Sequence, residues 1–398
     1  MPREIRFLIT GGGTGGHVGP ALAIVQKLRE RAATPDSPFT PVFCYMGSAN
    51  GVEAGLAREN GLPFVGVATG KFRRWSNARR FFEFLLPNLR DGLKQPLGLL
   101  EALTAVRRFR PDVTVSTGGY VSVPPVIASR LLGVPVLTHE QTVTIGLANR
   151  ITARFATRIA LTFEGAAEEL PPSLRRRTFV TGNPVREAIF QGDRTRAARR
   201  FGFVPEEDDL PCLYVTGGAQ GAALINRSVE SVLGDLLALP CRIVHQCGKQ
   251  PEDWEQDFDR LTRAAAALTP ALAARFHVTR FVGSEAIGDA YALCDLLVGR
   301  SGAGTVTEVC ALGKPAIFVP KVPTGGDEQT RNARRLADAG AALLLPQKEC
   351  DGPRLLREIT SLANDPTKRA AMREAALRLA RPDAADALAD AVLGLVRR

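Results

Sequence analysis

The sequence predicts an α/β protein built from two Rossmann-like domains, each with a parallel β-sheet. Short β-branched runs alternate with helix-length amphipathic stretches along most of its 398 residues. An apolar strand that ends in Thr-Gly-Gly opens a helix at residues 7–16, and the same pattern returns at residues 213–222. Because the pattern restarts about 200 residues later, we expect two separate sheets rather than one sheet with insertions.

Six strands are predicted in each half of the chain from short apolar runs. In the first half they cover residues 5–10, 41–46, 64–68, 112–116, 134–138 and 158–162. In the second half they cover residues 212–216, 242–245, 277–282, 295–298, 316–319 and 341–345. Between the first two strands, Ala21, Ile24 and Leu28 recur at helical spacing on one face. The last ~45 residues have helical spacing and no strand signal.

The segment between the two series is polar and charged, which predicts a domain over residues 1–186 and a second over residues 187–379. Apolar residues make up 45% and charged residues 23%, which excludes wholesale disorder. Lys and Arg outnumber Asp and Glu by 51 to 41, so the net charge of +10 favours an anionic partner such as nucleic acid, a phosphorylated substrate or an acidic membrane surface.

The sequence shows no sign of a membrane-spanning helix, a secretory signal or a disulfide framework. No apolar run approaches ~18 residues, so we expect no membrane-spanning helix. The N-terminal segment lacks the apolar region and cleavage site of a secretory signal, so we expect none. The seven cysteines are scattered without a Cys-x-x-Cys pair, which is typical of free buried thiols in a reducing cytosol.

The first glycine-rich turn predicts a phosphate or diphosphate site. Gly11, Gly13 and Gly16 match G-x-G-x-x-G between a strand and a helix, where backbone N–H groups and the helix terminus favour anions. Binding of NAD would need an acidic residue at the end of the second strand, and residues 45–48 contain none, so hydride transfer is disfavoured. A third glycine turn follows the strand at 112–116, and we expect these turns to face a common cleft between the domains.

Residues 300–320 are predicted to form a loop, a helix, a glycine stop and a strand. The segment from Thr305 to Glu308 fits a capping box, so Glu308 is expected to cap its own helix. A second interpretation is that Glu308 accepts both ribose hydroxyls of a nucleotide, although spacing alone favours the cap. Gln329 and Asn332 lie one turn apart at what looks like an ordinary helix start.

A set of short motifs, in order from residue 7 to about residue 345, carries a family resemblance. They are Thr-Gly-Gly-Gly-Thr-Gly-Gly-His17, Thr-Gly-Gly-Tyr120-Val-Ser, His139-Glu-Gln, Gly-Leu-Ala-Asn149-Arg, Gly182-Asn-Pro-Val-Arg186, Gly217-Gly-Ala-Gln-Gly221, His245-Gln-Cys-Gly-Lys249, Arg300-Ser-Gly-Ala and Gln329-Thr-Arg-Asn332-Ala. With them the chain resembles the MurG family of peptidoglycan N-acetylglucosaminyltransferases, a GT28-like group of GT-B glycosyltransferases.

The resemblance implies a GT-B fold, in which two Rossmann-like domains face each other across a cleft and a C-terminal helix near residues 380–398 joins the first domain. It implies UDP-N-acetylglucosamine as the donor, held mainly by the second domain. The acceptor would be undecaprenyl-pyrophosphoryl-MurNAc-pentapeptide (lipid I), held mainly by the first domain and converted to lipid II in peptidoglycan synthesis.

The resemblance also implies site residues. Carried over by motif, the substrate-binding positions are Thr14, Gly15, Gly16, Thr142, Arg186, Ala219, Val282, Ala303, Gly304, Thr305, Val306, Thr307, Glu308 and Gln329. Arg186 would face a diphosphate, the backbone of Val282 the uracil, and Gln329 the sugar hydroxyls. Glu308 would then both cap its helix and bind the ribose. Thr142 and Ala219 replace the Asn and Ser common in the family, which puts their side-chain contacts with the donor in doubt.

The chemistry that the resemblance implies is an inverting transfer, in which the acceptor 4-hydroxyl attacks C1 of the sugar and UDP leaves. The base is predicted to be His17, because a neutral imidazole titrates near the working pH. The alternative is that His17 only caps its helix or contacts the diphosphate. Glu140 is the second candidate for the base, and His139 is predicted to be structural. We expect no metal or cofactor, since Arg186, loop N–H groups and helix ends can absorb the charge on the diphosphate.

Residues 71–86 combine basic and large apolar side chains, which suits the surface of an anionic bilayer. The predicted contacts are Arg73, Arg74, Trp75, Phe81 and Phe82. Taken alone, the pattern slightly favours a solvated basic turn followed by a core helix, but a lipid-linked acceptor shifts the preference to the membrane. The resemblance therefore implies a peripheral protein on the cytoplasmic face of the inner membrane, near other cell-wall synthesis proteins.

Three other functions are alternatives to this one. Nucleic-acid binding is disfavoured, because aromatic residues make up only 6% and no RNA-binding aromatic motif occurs. A UDP-N-acetylglucosamine 2-epimerase needs no lipid surface, so the basic, aromatic segment argues against it. Another GT-B lipid glycosyltransferase, such as one acting on diacylglycerol, can be separated only by assaying acceptors.

Overall fold

The computed structural model describes residues 2–70, 78–203, 210–249, 256–322 and 327–396, with side chains throughout except at 78–90 and 93. Contacts between Cα atoms divide the chain into two compact units. The first consists of Met1–Arg186, Thr324–Glu328 and Arg381–Arg398, and the second of Glu187–Pro323 and Gln329–Ala380. Each unit contains one parallel sheet with helices, so the predicted α/β class is confirmed.

The sheet of the first unit has a Rossmann-like strand order. Its strands are β1 (Arg3–Thr10), β2 (Phe39–Gly47), β3 (Phe64–Gly66), β4 (Val113–Ser116), β5 (Val136–Glu140), β6 (Arg158–Leu161) and β7 (Thr178–Val180). They run parallel in the order β3-β2-β1-β4-β5-β6-β7. Thr10 pairs with both Met46 and Ser116, so β1, β2 and β4 end nearly level. The order reverses between β1 and β4, and open α/β sheets bind ligands beyond the carboxyl ends of the strands at such a point.

Helices of the first unit cover this sheet and supply its core. They are α1 (Gly15–Ala32), α2 (Val52–Glu59), α3 (Ala78–Phe109), α4 (Val123–Leu131), α5 (Leu147–Thr152) and α6 (Pro172–Arg175). Helix α1 buries Ala21, Ile24 and Leu28 in a cluster with the apolar side chains of β1 and β2, as the sequence predicts. The helix begins at Gly15, before the apolar periodicity sets in, so Gly15 and Gly16 of the glycine-rich turn form part of its first turn.

The second unit repeats the arrangement. Its strands are β8 (Cys212–Thr216), β9 (Arg242–Gln246), β10 (Phe276–Thr279), β11 (Cys294–Gly299), β12 (Ala316–Phe318) and β13 (Ala342–Leu344). They run parallel in the order β10-β9-β8-β11-β12-β13, so the reversal falls between β8 and β11. Its helices are α7 (Arg194–Arg200), α8 (Ala223–Glu230), α9 (Leu233–Ala238), α10 (Asp257–Ala266), α11 (Pro270–Ala273), α12 (Ile287–Leu293), α13 (Ala303–Leu312), α14 (Glu328–Asp338), α15 (Gly352–Ala363) and α16 (Pro366–Leu379).

The last helix, α17 (Ala384–Leu393), packs in the first unit although it follows the second along the chain. Leu388 and Val392 are fully buried in the same apolar cluster as α1. At the edge of this contact, the Arg31 guanidinium pairs with Asp386 at 3.1 Å and also with Asp390. These ion pairs are partly exposed and contribute little each, so apolar burial holds the helix in place.

All twelve predicted strands are present, and the differences lie at their ends. The strand predicted at 277–282 ends at Thr279, which leaves Val282 in the following loop. Strand β7 was not predicted, because it contributes only three residues to the sheet edge. The seven cysteines are free and buried, so the prediction of free buried thiols is confirmed. Within the described residues, no helix combines the length and the apolar content needed to cross a membrane.

Removing the buried side chain of Leu388 tests whether α17 stabilises the first unit. We expect Leu388→Ala to lower the free energy of unfolding by about 2–5 kcal/mol, because it leaves a cavity in a packed core. The matched control is Leu131→Ala, since Leu131 is 62% exposed at the end of α4. Urea denaturation followed by circular dichroism measures both. Equal losses from the two variants would contradict this view of α17.

Candidate active site

Two glycine loops meet at the carboxyl ends of β1 and β4. The N–H of Gly12 donates to the carbonyl of Gly118 at 3.1 Å. Gly119 has φ +83°, and a Cβ there would lie 2.0 Å from the Gly12 carbonyl oxygen. The two loops therefore touch backbone to backbone, and only glycine fits at Gly119.

A buried carboxylate, Glu53, lies beneath the first loop and was missed by the sequence analysis. It accepts the N–H of Gly13 at 3.1 Å and the N–H of Ser48 at 2.9 Å. Ser48 lies only five residues from Glu53, but Gly13 lies 40 residues away, so no motif reveals that Glu53 is bound to the glycine loop. The only local signal was an acidic residue between small residues just beyond β2. Glu53 thus occupies one loop N–H that the glycine fingerprint assigned to a phosphate.

The exposed start of α1 remains available to an anion. Thr14, Gly15 and Gly16 are exposed, and no side chain caps the helix among the described residues. Backbone N–H groups at a helix start, together with the positive end of the helix dipole, favour phosphate oxygens. The three residues expected from the resemblance are therefore the exposed part of this loop.

Hydrogen bonds fix the orientation of the half-buried His17 ring. Its Nδ1 lies 2.9 Å from the carbonyl oxygen of Thr117 and 2.8 Å from Oε1 of Gln141. The Gln141 amide is held in turn, because its Nε2 donates to the same Thr117 carbonyl at 2.5 Å. Since both neighbours of Nδ1 are acceptors, Nδ1 carries the proton in the neutral ring and Nε2 carries the lone pair.

Glu140 has a structural role that argues against it as the base. Its Oε1 accepts the N–H and hydroxyl of Thr142, at 3.0 and 2.9 Å. Its Oε2 accepts the N–H of Gly146 at 3.1 Å and the side-chain amide of Asn149 at 2.8 Å. Both oxygens are therefore engaged in ordering the loop that leads into α5. The Thr142 hydroxyl donates within the same loop, and its contact with the donor stays a prediction.

Two histidines are fully buried and neutral. The Nε2 of His139 lies 3.0 Å from the Gly182 carbonyl, to which it donates, and burial lowers its pKa to about 4. The Nε2 of His245, in the second unit, lies 2.9 Å from Oδ1 of Asn226, and burial lowers its pKa to about 3. Neither ring is accessible to a substrate, so both are part of the scaffold.

In the second unit, Gln246 at the end of β9 ties three segments together. Its Oε1 accepts the hydroxyl of Tyr214 and the N–H of Val282, both at 3.2 Å, and its Nε2 donates to the Gly218 carbonyl at 2.9 Å. The N–H of Val282 is therefore engaged. The contact of the Val282 backbone with uracil stays a prediction, and the carbonyl is the group better placed to make it.

The loop after β8 carries Ala219 on a tight turn. Gly218 and Gly221 both have positive φ, and a Cβ on Gly221 would lie 1.9 Å from the Cys247 carbonyl oxygen. The Ala219 carbonyl accepts the N–H of Lys249 at 2.9 Å. Ala219 therefore occupies a rigid turn before α8, with no polar side chain to offer.

The predicted capping box is wrong. Helix α13 begins at Ala303 after Gly302, so Thr305 is its third residue and Glu308 lies in the second turn. The extended backbone at Gly302 allows this earlier start. Instead of capping, Glu308 accepts the hydroxyl of the buried Tyr291 at 2.7 Å. Because burial and this carboxylate both disfavour a phenolate, they raise the pKa of Tyr291 well above its ordinary value.

In the part of the chain that the structure describes, no side chain caps the start of α13, and its first residues are half-buried. Those residues are Ala303, Gly304 and Thr305, whereas Val306 is buried and Thr307 bonds back to the Ala303 carbonyl at 2.8 Å. As in α1, this helix start follows a strand at a point where the sheet order reverses. It is therefore a second place suited to an anion.

The remaining predicted residues lie in different settings. Gln329, in the first turn of α14, accepts the Lys321 N–H through Oε1 at 2.9 Å, and its amide N–H groups can donate elsewhere. Arg186 is exposed at the end of the first unit. Arg73, Arg74 and Trp75 lie outside the described residues. Phe81 and Phe82 belong to α3, but their side chains lie outside the described part of the chain.

Family models match most of the chain. Residues 7–161 match the glycosyltransferase family 28 N-terminal domain, and residues 212–388 match its C-terminal domain. The chain belongs to glycosyltransferase family 28. It is therefore a glycosyltransferase with the GT-B fold, as the sequence predicts.

The named relatives of this family member are similar over nearly their whole length. Proteins from Desulforudis audaxviator and Moorella thermoacetica are 36% and 37% identical, with 98% of this chain covered and 98% and 99% of theirs. Both are named UDP-N-acetylglucosamine--N-acetylmuramyl-(pentapeptide) pyrophosphoryl-undecaprenol N-acetylglucosamine transferase. The crystal structure of Acinetobacter baumannii MurG is 27% identical, with a TM-score of 0.69 over 99% of this chain and 100% of that one.

A UDP-GlcNAc 2-epimerase from Neisseria meningitidis also aligns, with a TM-score of 0.64 over 98% of this chain and all of that one. Its identity of 12% shows a shared fold alone.

Among the described residues, no group of three His, Cys, Asp or Glu side chains could hold a metal ion.

The buried histidines predict how stability depends on pH. An unfolded histidine titrates near 6.5, whereas His139 and His245 take up protons in the folded protein only near pH 4 and 3. The unfolded state therefore binds more protons below pH 6.5, and the free energy of unfolding falls as the pH drops from there through 4. Urea denaturation at a series of pH values measures this slope.

The variant His139→Gln keeps a donor for the Gly182 carbonyl but cannot titrate. We expect it to reduce the slope between pH 6.5 and 4 by up to about one proton. An unchanged slope in this variant would contradict the neutral, buried state of His139.

Proposed function

We propose that the protein transfers N-acetylglucosamine from UDP-N-acetylglucosamine to the 4-hydroxyl of the muramoyl sugar of lipid I, giving lipid II in peptidoglycan synthesis. The observation that carries this proposal is the near full-length similarity to relatives named for that donor and that acceptor. Roles in cell-wall formation, cell shape and division would follow from the product. The epimerase alternative has only the shared fold in its favour.

The donor is assigned to the second unit. The start of α13, at Ala303 to Thr305, suits the diphosphate, and the carbonyl of Val282 suits the N3–H of uracil. A carboxylate has about four acceptor positions, so Glu308 can take ribose hydroxyls while the Tyr291 hydroxyl holds it in place. The amide of Gln329 can donate to the sugar hydroxyls. Contacts at Ala219 must come from its backbone.

The acceptor and the base are assigned to the first unit. The Nε2 lone pair of His17 takes the proton of the acceptor 4-hydroxyl while its oxygen attacks C1 of the donor sugar. The C1–O–phosphate bond breaks on the opposite side, UDP leaves with the electron pair, and the new bond has the β configuration. Arg186 and the N–H groups of Thr14, Gly15 and Gly16 favour anionic phosphate oxygens. This proposal requires no metal or cofactor.

The deciding experiment incubates the purified protein with UDP-N-acetylglucosamine and a lipid I analogue and follows disaccharide formation. We expect His17→Ala to lower kcat by about 10²–10⁴-fold with little change in the KM for the donor, because it removes proton transfer. Glu308→Ala should instead raise the KM for the donor, because it removes a ground-state contact.

The outcomes separate the alternatives. Gln141→Leu is a matched variant that leaves the imidazole present and held by the Thr117 carbonyl alone, so it should lower kcat less than His17→Ala does. A wild-type kcat in His17→Ala would exclude His17 as the base. If His17 instead contacts the diphosphate, the variant should raise the KM for the donor. Transfer to diacylglycerol instead of the lipid I analogue would support a different lipid glycosyltransferase.

We also infer that the protein binds the anionic cytoplasmic face of the inner membrane as a peripheral protein. The sequence of residues 71–86 supports this inference, as does an acceptor that is itself a membrane lipid. Arg73 and Arg74 would lie at the headgroups, and Trp75, Phe81 and Phe82 would enter the bilayer. Other cell-wall synthesis proteins are proposed as neighbours there.

Replacing Trp75, Phe81 and Phe82 by Ser should weaken binding to anionic liposomes by at least about tenfold, because apolar insertion is lost. Turnover of a water-soluble acceptor should persist. Co-sedimentation with anionic and with neutral liposomes measures the effect, and Leu131→Ser is the control for a lost exposed apolar side chain. Undiminished binding by the triple variant would exclude this segment as the membrane contact.

A further inference from the structure

An apolar cavity of about 590 Å³ lies in the first unit between α3, α4 and the start of α5. Its walls include Leu99, Val123, Ile127, Leu147 and Ile151. Its volume falls within the ~300–1,000 Å³ typical of small-molecule sites. Protein interiors leave few voids larger than a water molecule, so a space of this size is suited to a ligand rather than to packing.

The walls select an apolar ligand that enters from the surface. Gln95, a polar side chain at the wall, donates an amide N–H to the Gly70 carbonyl at 2.9 Å, so this N–H is paired with the backbone. Leu147 is 41% exposed, and Leu99, Ile127 and Ile151 are half-buried. An apolar surface that stays accessible to this degree marks a place where hydrocarbon can be bound.

Tyr120 connects the cavity to the glycine loops. It lines the cavity, and its ring lies against Gly13, where a Cβ would come within 2.6 Å of the ring. The residue before it, Gly119, packs against His17, since a Cβ there would lie 3.2 Å from Cδ2 of the imidazole. The cavity therefore borders the loops to which the base and the anion are assigned.

We propose that this cavity holds the first isoprene units of the acceptor, those next to the pyrophosphate. The inference rests on the proposed function, whose acceptor joins a sugar, a pyrophosphate and a polyprenyl chain in that order. A sugar placed at His17 brings the pyrophosphate to the glycine loops, and the hydrocarbon that follows must leave beside Tyr120. The prenyl chain has no polar atom and matches walls that are formed mainly by aliphatic side chains.

Two acceptors that share the pyrophosphoryl-muramyl-pentapeptide test this without any membrane, one with two isoprene units and one with a methyl group. We expect the wild-type protein to show a KM at least about tenfold lower for the prenyl acceptor. Ala148→Phe fills the cavity and Leu147→Asp places a charge at its exposed wall, so both should move the KM ratio towards one. Leu131→Asp, at an exposed leucine outside the cavity, should keep the wild-type ratio.

A wild-type ratio near one overturns the proposal, as does a ratio that persists in both cavity variants. Calorimetric titration with geranyl pyrophosphate separates this proposal from the proposed function. If the wild-type protein binds geranyl pyrophosphate, the cavity variants do not, and neither acceptor gives product, the prenyl site is supported and the proposed reaction is contradicted. Product from both acceptors with equal KM supports the reaction and overturns the cavity. Tighter binding of decyl pyrophosphate than of geranyl pyrophosphate also overturns the assignment to a prenyl chain.

Discussion

The backbone contact between the two glycine loops of the first unit is the constraint on which the candidate site depends. The Gly12 N–H reaches the Gly118 carbonyl only because Gly119 has no side chain to separate the loops. That approach sets where α1 begins, and it brings the His17 ring over Thr117. A side chain at Gly119 would therefore displace the imidazole as well as the first glycine loop.

In both units, side-chain amides at the ends of strands hold loops in place, as the glycines do by letting backbones approach. Gln141 follows β5 and uses both ends of its amide, accepting from His17 and donating to the Thr117 carbonyl. Gln246 ends β9 and likewise accepts from Tyr214 while donating to the Gly218 carbonyl. An amide satisfied at both ends has one orientation, so it fixes the loops around it. The two units thus use the same chemistry to order loops beyond parallel strands.

The strands were predictable because buried parallel strands are continuous apolar runs, and the glycine turns were predictable because they interrupt those runs. The hydrogen-bond partners of the site residues could not be predicted, because they come from distant segments of the chain. His17 and Gln141, for example, are 124 residues apart. The capping-box error has a local cause. Thr305 and Glu308 have the right spacing, but the extended backbone at Gly302 lets α13 begin at Ala303 and moves both residues inward.

Two buried carboxylates show why a charged residue beside a loop need not act on the substrate. Glu53 accepts the Gly13 and Ser48 N–H groups, and Glu140 accepts three donors from the loop after β5 and the side-chain amide of Asn149 in α5. Each stabilises a loop by satisfying backbone donors that would otherwise be buried without partners. In Glu140 both oxygens hold these donors, which argues against a role for this carboxylate in taking a proton from a substrate. His17 differs in that its bonded nitrogen orients the ring while its other nitrogen keeps a lone pair, and general-base catalysis needs that division.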